Sequence, residues 1–430
     1  MVDTALSPGT APSPPRALRV ALLGFGTVGA SVARILVERP ELSDRLQLTH
    51  VFNREVARKR AEWVAPTVAW TDRIDDIFNA SPDVVVEVAG GVEPARTWVA
   101  RAIEHGASVV TANKMLLATH GPDLLALAAA RGVQLRFEAA VGGGVPLIHG
   151  VREGLAGDRL TGVAGILNGT CNYILSRMAA TDEPMEIVLA DAQRLGYAEA
   201  DPSADVDGDD AAAKLVVLSG IAFRRFLALK DIPRRSIRSL TSADFKYAKR
   251  LGCTIRQISE VRSAENGFYG YVGPALVPEN SAFGRNEGAN NVVSIFGQYG
   301  GESSFSGAGA GGPATAVAVV SDLLALTQQR MRVESERWYP ASEVAPPPRP
   351  YYLRFVVVDR PGIIASIAAA LARQEVNLDA LLQEPGYPKH HLPFVITVED
   401  CEEAALLEAL KEIGTADWHA EPPIALPMFS

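Results

Sequence analysis

LRVALLGFGTVGASVARILVER, residues 18–39, joins a short apolar run to a helical one through a glycine-rich turn. ALRVALLG reads as a buried strand, and TVGASVARILVER has helical periodicity that stops before Pro40. Gly24, Gly26 and Gly29 stand in GxGxxG spacing between them. In such a turn the first glycine permits the tight bend and the second lets the backbone approach a pyrophosphate. The third lets the helix pack against the strand, with the phosphate on the helix N-terminus. The same spacing alone can serve packing only. Here it follows a strand, opens a helix and begins an alternating α/β pattern, the context a dinucleotide site requires. Gly24, Gly26, Thr27, Val28 and Gly29 are the candidate contacts.

Outward from this turn the alternation continues. LQLTHVFN, DVVVEVAG, ASVVTAN and VQLRFEAA read as strands, with helical PARTWVARAIEHG and LLALAAARG between them. Strand and helix repeated in this way predict a Rossmann-type, doubly wound parallel sheet. The second strand ends at Asn53 rather than at an acidic residue, and Arg54 follows, with Arg58, Lys59 and Arg60 close behind. An acid there would hold a ribose 2′-hydroxyl and repel a 2′-phosphate, so NADP is expected, with Arg54 and Lys59 on the phosphate; NAD stays open. Arg58 and Arg60 read equally well as a solvated helix face.

Residues 146–310 mix helices with loops such as GILNGTCNY and GRNEGANN, and suggest a second, α+β domain. GAGAGGPATAVAVVSDLLAL then turns into an apolar helix expected to return to the first domain. A proline-rich stretch follows, with Pro346, Pro347, Pro348 and Pro350, of the stiff, extended kind. The remainder reads strand, helix, strand, strand, helix, strand, a small ferredoxin-like module. The expected division is a disordered tail 1–16, a nucleotide-binding domain 17–145 plus 311–333, a catalytic and dimerisation domain 146–310, a linker 334–349 and a regulatory module 350–430.

The chain has 430 residues and a formal net charge of −9, which argues against nucleic acid as a partner. Cys171, Cys253 and Cys401 are scattered and make no CxxC, so neither a disulfide framework nor a thiolate zinc site is expected. The N-terminus lacks the basic start and apolar middle of a signal peptide, and no apolar run reaches the ~20 residues that span a bilayer. A cytoplasmic protein acting on small molecules is the default.

ADPSADVDGDDAAAKL, residues 200–215, places five aspartates within ten residues and ends on Lys214 and a leucine, just where an apolar helix begins. Asp210 and Lys214 are spaced i, i+4 and share a helix face, which on its own is an ordinary pair worth about 0.3–0.5 kcal/mol. A calcium loop fits poorly. With Gly208 at the sixth position, Lys214 falls where a bidentate glutamate is needed. Asp207 and Asp209 are expected to face solvent.

VVVEVAGGVEP, VVTANKMLLATHG, FEAAVGGGVPLI, GILNGTCNYIL and LGYAEADPSADVDGDDAAAKL follow one another in an order that resembles the homoserine dehydrogenases, over about residues 18–333. FVVVDRPGIIASIAAAL resembles the opening of an ACT domain. The resemblance implies NAD(P)-dependent interconversion of L-homoserine and L-aspartate 4-semialdehyde, on the route to threonine, methionine and isoleucine. It places Lys214, Lys114 and Asp210 at the reaction centre, with Lys214 the preferred proton donor and Lys114 the second. A lysine there suits the chemistry, since an ammonium can stabilise the oxygen that gains charge and protonate it. Glu199 and Asp205 would meet the substrate amine, and Asn168 and Thr170 offer polar lining. Lys114 and Gly309 would also touch the cofactor; the proline after Gly309 is shifted by one place relative to the family pattern. Cys171 reads as a packed side chain.

By the same resemblance, main-chain oxygens of Glu138, Val141, Gly143 and Val145 would bind a monovalent cation such as Na+, or the glycines there simply make a turn. Pro361 and Gly362 would take an amino-acid effector, most simply threonine, unless the module only dimerises. A homodimer is implied, extended to a tetramer if the ACT module pairs. Two rival functions are a hydroxyacid dehydrogenase with an ACT tail and a non-catalytic amino-acid sensor. The first uses a His–Glu pair, and no histidine is suitably placed in the middle domain; retention of both Lys114 and Lys214 speaks against the second.

Overall fold

The computed structural model describes residues 16–328 and 337–429. The expected tail, apart from Arg16, and the start of the expected linker fall outside the described residues. A six-stranded parallel sheet carries the first part of the chain. Its strands are β1 (Leu18–Leu23), β2 (Leu46–Phe52), β3 (Ala69–Thr71), β4 (Val84–Glu87), β5 (Ser108–Thr111) and β6 (Leu135–Arg136), in the order β3-β2-β1-β4-β5-β6. The order reverses between β1 and β4, and ligands of such sheets bind beyond the strand ends at that point.

Alternate side chains of β1 enter two different cores. Val20 and Leu22 pack with Val32 and Ala33 of α1 (Thr27–Glu38). Ala21 and Leu23 pack instead with Val99 and Ile103 of α2 (Ala95–Glu104) and Leu116 and Leu117 of α3 (Lys114–Arg131). A strand covered on both faces must be apolar throughout, which is why LRVALL shows no polar alternation.

The middle of the chain forms a five-stranded antiparallel sheet. It is built from β7 (Leu160–Ile166), β8 (Cys253–Ala264), β9 (Gly267–Pro278), β10 (Asn290–Gly297) and β11 (Gly301–Ala308), in the order β9-β8-β7-β10-β11. Against it lie α4 (Gly169–Thr181) and α5 (Asp209–Phe223). Ten residues of α5, from Ala211 to Ile221, are buried, so past the Asp210–Lys214 pair this helix is apolar on nearly every side. α6 (Ser242–Arg250) follows, and α7 (Gly312–Thr327) returns to pack on α1 through Ala316, Val319 and Leu323.

The described part of the proline-rich segment runs extended but lies on the body of the protein. Trp338 is buried, and a Cβ on Gly220 of α5 would sit 2.4 Å from its ring. Beyond it comes a four-stranded antiparallel sheet of β12 (Arg349–Val357), β13 (Leu378–Leu382), β14 (Leu392–Cys401) and β15 (His419–Pro427), in the order β13-β14-β12-β15. Helices α8 (Ile363–Arg373) and α9 (Glu403–Ile413) cover one face. The other face packs on the middle domain, where Tyr352, Val395 and Leu426 join Phe245 and Tyr247 of α6. Arg354, almost fully buried, reaches Asp244 at 2.6 Å, and Asp244 also accepts from Tyr352 Oη.

Candidate active site

The glycine turn after β1 behaves as its spacing predicts. Gly24 has φ of 104°, and a Cβ there would meet Val88 O at 2.8 Å. A Cβ on Gly29 would lie 2.1 Å from Gly24 O, so the first turn of α1 rests directly on the bend. A Cβ on Gly26, by contrast, meets nothing within 4 Å. Gly26 caps α1 without any side-chain acceptor, which leaves the amides at Thr27 and Val28 for an anion. The cradle therefore fits a pyrophosphate. Asn53 Oδ1 is taken up locally by the Glu55 amide at 2.9 Å. Arg58 pairs with Glu55, whereas Arg54 and Lys59 make no ion pair among the described residues.

The ends of β4 and β5 carry a second organising network that was not foreseen. Glu87 is fully buried, accepts from the amides of Ala89 and Gly90, and takes the Thr111 hydroxyl at 2.6 Å. Asn113 caps α3 through Leu116 N and donates to Gly91 O at 2.6 Å. These bonds set the direction of Lys114, the first residue of α3. Both acceptors sit inside the motifs quoted above. A buried glutamate within an apolar strand was the available signal.

The loop part of the acidic stretch ends at Gly208, whose φ of 90° allows the turn into α5. Asp209 and Asp210 then occupy the first turn, where the helix dipole favours anions. Lys214 lies one turn on, and side chains of a helix lean toward its N-terminus. Its Nζ reaches Asp210 Oδ2 at 2.8 Å and Leu167 O at 2.7 Å. Lys114 Nζ lies 3.1 Å from Asp210 Oδ1. One carboxylate is thus clamped between two ammonium groups that come from different domains, a hundred residues apart in sequence. Burial pushes the Asp210 carboxyl up, but Lys214 and Lys114, with the hydrogen bonds of Lys214 and Asn168, more than reverse this and hold it well below the ordinary range.

Asn168 caps α4 by accepting from Cys171 N, and its Nδ2 donates to Asp205 at 2.6 Å and Asp210 at 2.8 Å. It is 3% exposed, so it positions the two acids rather than lining the cavity. Burial raises the Asp205 carboxyl, against the Asn168 bond; the Asp210 charge adds to the rise. Thr170 donates to Tyr197 O at 2.6 Å. Cys171 is fully buried and its thiol is pushed far up, which fits packing. A cavity of about 650 Å3 is lined by Lys114, Thr170, Glu199, Asp205 and Asp210. Asp207 and Asp209 are half-exposed but not free, because Arg238 and Arg234 hold them at 3.0 Å each.

The glycine-rich loops meet nearby. A Cβ on Gly143 would sit 2.6 Å from Gly309, and Gly144 N donates to Ala308 O at 3.2 Å. Gly309 in turn lies against the Asn291 side chain, and Gly312 against Ser31 and Thr27 of α1. The loop from Gly309 to Gly312 therefore runs from Asn291, whose Nδ2 shares Leu167 O with Lys214, to the first turn of α1. The Glu138 carboxylate is occupied by the amides of Ile148 and His149. Among the described residues no cluster of acidic, histidine or cysteine side chains could hold a metal ion, so an ion here would depend on the carbonyls of Glu138, Val141, Gly143 and Val145. Val145 O already accepts from Leu147 N at 2.7 Å.

Models of known families match three parts of the chain: "Homoserine dehydrogenase, NAD binding domain" over residues 24–138, "Homoserine dehydrogenase" over 146–324, and "ACT domain" over 351–416. The homoserine dehydrogenase of Mycobacterium leprae is 39% identical over 423 residues, covering 94% of this chain and 95% of that one. That of Neisseria gonorrhoeae is 35% identical over 428 residues, covering 95% and 98%. The crystal structure of a homoserine dehydrogenase from Thiobacillus denitrificans superimposes with a TM-score of 0.89 at 35% identity, covering 96% of this chain and 99% of that one.

Proposed function

The chain belongs to the homoserine dehydrogenase family, whose members are NAD(P)-dependent oxidoreductases interconverting L-homoserine and L-aspartate 4-semialdehyde, and on that premise we propose how its residues divide the work. The reading rests on one observation: Asp210, which lines the cavity with Lys114, grips Lys114 and, just behind the wall, Lys214. When bound, the reduced nicotinamide cofactor supplies a hydride to the aldehyde carbon. A lysine ammonium has three N–H donors, and Lys214 has two committed, to Asp210 and Leu167 O. Among the described residues nothing else takes its third N–H, which would meet the aldehyde oxygen, stabilise the charge that develops there and deliver the proton. Lys114 is the second cation of the site. Both oxygens of Asp210 are taken, so Asp205 and Glu199 are left to receive the substrate ammonium. Asn168 holds Asp205 and Asp210 in register.

Gly24, Gly26, Thr27, Val28 and Gly29 would carry the pyrophosphate, with Gly309 toward the nicotinamide. NADP is favoured over NAD because Arg54 and Lys59 make no ion pair among the described residues. The loop of Glu138, Val141, Gly143 and Val145 is assigned a monovalent cation such as Na+ on family likeness, supported by its crowded glycines. Residues 17–145 with 311–333, 146–310 and 350–430 are taken as the nucleotide-binding, catalytic and regulatory domains. In this reading the enzyme serves threonine, methionine and isoleucine synthesis in the cytoplasm. Among the described residues no helix is long and apolar enough to cross a membrane. An amino-acid effector at Pro361 and Gly362 would act through the ACT domain. Gly362, at φ of 96°, opens α8 with no side-chain cap, which supports a carboxylate there. A homodimer rests on family likeness, and its extension to a tetramer through the ACT module is supported by the edge strand β13, where Leu378 and Leu381 are exposed. The decisive assay is NADPH oxidation with L-aspartate 4-semialdehyde, compared between the wild-type protein and Lys214→Ala.

A further inference from the structure

Lys214 and Lys114 reach the same carboxylate by unequal means. The Lys214 side chain is 12% exposed, rises from a buried helix and is held by both Asp210 and Leu167 O. The Lys114 side chain is 35% exposed, and among the described residues its one ion pair is to Asp210 Oδ1 at 3.1 Å. Lys114 is also the first residue of α3, at the end where the helix dipole opposes a cation. A flexible four-carbon stem in such a place takes its aim from the backbone beneath it. Whatever fixes that backbone therefore fixes the ammonium.

A buried carboxylate does so. In the parallel register of β4 and β5, Glu87 lies beside Thr111, and both are fully buried at the ends of valine-rich strands. Glu87 Oε2 takes the Thr111 hydroxyl at 2.6 Å, and the oxygen of that hydroxyl accepts from Asn113 N at 3.0 Å. Asn113 Oδ1 caps α3, and its Nδ2 donates to Gly91 O at 2.6 Å. Glu87 Oε1 accepts from Ala89 N at 2.9 Å and Gly90 N at 3.2 Å. Gly90 and Gly91, at φ of 76° and 75°, wrap loop 88–91 round the carboxylate. Glu87 makes no ion pair among the described residues, and a buried charge without a cation is costly, so packing alone would favour an apolar side chain here. Its three donors instead lock loop 88–91 and the start of α3 into one rigid piece.

We propose that Glu87 is a positioning residue of the reaction, acting through Thr111 and Asn113 to hold Lys114 on Asp210. Without the Thr111 hydroxyl, Glu87 Oε2 and Asn113 N each lose a partner, the start of α3 relaxes, and Lys114 leaves Asp210 for solvent. This role rests on the reading of Lys114 as the second cation of the site.

The experiment compares three variants of the full chain. Thr111→Val matches threonine in shape, Thr111→Ser keeps the hydroxyl, and Glu87→Gln keeps an oxygen for the two loop amides. Competitive acetylation with acetic anhydride, read peptide by peptide by mass spectrometry, reports the freedom of Lys114, with the exposed Lys249 as reference. The ratio of Lys114 to Lys249 labelling should rise threefold or more in Thr111→Val and Glu87→Gln. In the NADPH assay kcat should fall at least tenfold in the same two, since a misplacement of about 1 Å can cost about 10²-fold. Thr111→Ser should recover most of both effects. Added to Lys114→Met, Thr111→Val should cost less than a further twofold, because its effect runs through the lysine. Where Lys114→Met is too slow to measure, the labelling ratio decides. The proposal is overturned by an unchanged labelling ratio in Thr111→Val, or by an equal loss of kcat with and without Lys114. A deep loss in Lys114→Met with none in Thr111→Val overturns the proposal alone. Wild-type kcat in Lys114→Met removes the lysine from the reaction, and the proposal with it.

Discussion

Lys214→Ala isolates the proton-donor step from the binding steps. The substitution removes two short bonds at once, to Asp210 at 2.8 Å and to Leu167 O at 2.7 Å, from a side chain that is 12% exposed. Breaking a buried ion pair from one side costs about 3–5 kcal/mol when the surviving charge has no other partner. Asp210 keeps Lys114 and Asn168, so a smaller loss, about 2–3 kcal/mol of stability, is expected, in line with a lost hydrogen bond to a charged group. The kinetic loss is larger. General acid catalysis supplies about 10²- to 10⁴-fold, or roughly 3–5 kcal/mol of barrier. In the NADPH assay kcat should therefore fall by two to four decades, while the dissociation constant of NADPH, read by its fluorescence, changes less than threefold. Ethylamine, which can enter the space the lysine stem leaves, should restore part of kcat. A variant that stays within tenfold of wild type, or a deep loss that no primary amine relieves, refutes Lys214 as the donor and moves the role to Lys114.

Three other outcomes follow from the same geometry. Asp205 is raised by burial, so its protonation on acidification sets in above the ordinary carboxylate range and removes the charge that meets the substrate ammonium. KM for the aldehyde should thus climb as pH falls toward that range, and Asp205→Asn should show a high KM with that acid limb gone in a pH series. Arg54→Ala should raise KM for NADPH by about tenfold, near 1.4 kcal/mol, and leave NADH unaffected; equal effects on both cofactors would remove Arg54 from the 2′-phosphate. Arg354→Met strands the buried Asp244 without its cation and should cost about 3–5 kcal/mol at the junction with the ACT domain. Limited proteolysis should then release an ACT fragment far sooner than from the wild-type chain, and unchanged digestion would show that the apolar contacts alone hold the junction.

How far the sequence could be read depended on the range of each interaction. The glycines of 24–29 and the i, i+4 spacing of Asp210 and Lys214 follow from sterics and helix geometry within a few residues, and both stand in the structure as read. The strand alternation and the two-faced burial of β1 were legible for the same reason. Asp207 and Asp209 were expected in solvent; they stay about half exposed, but the distant Ser236, Arg238 and Arg234 hold them. Asn168 looked like cavity lining, but its two aspartate partners come from 37 and 42 residues away and turn it into a buried bracket.

The sequence by itself therefore determined the strand and helix pattern, the phosphate turn and the family, because backbone sterics and side-chain periodicity act locally. Tertiary structure alone decided that Lys114 and Lys214 grip opposite oxygens of one carboxylate, and that the segment 234–241 bolts the ACT module to the acidic stretch, with Arg235 on Glu403 and Arg238 on Asp207. Charge pairing of that kind depends on which surfaces are packed together and shielded from water, and residues widely separated along the chain carry no local mark of it.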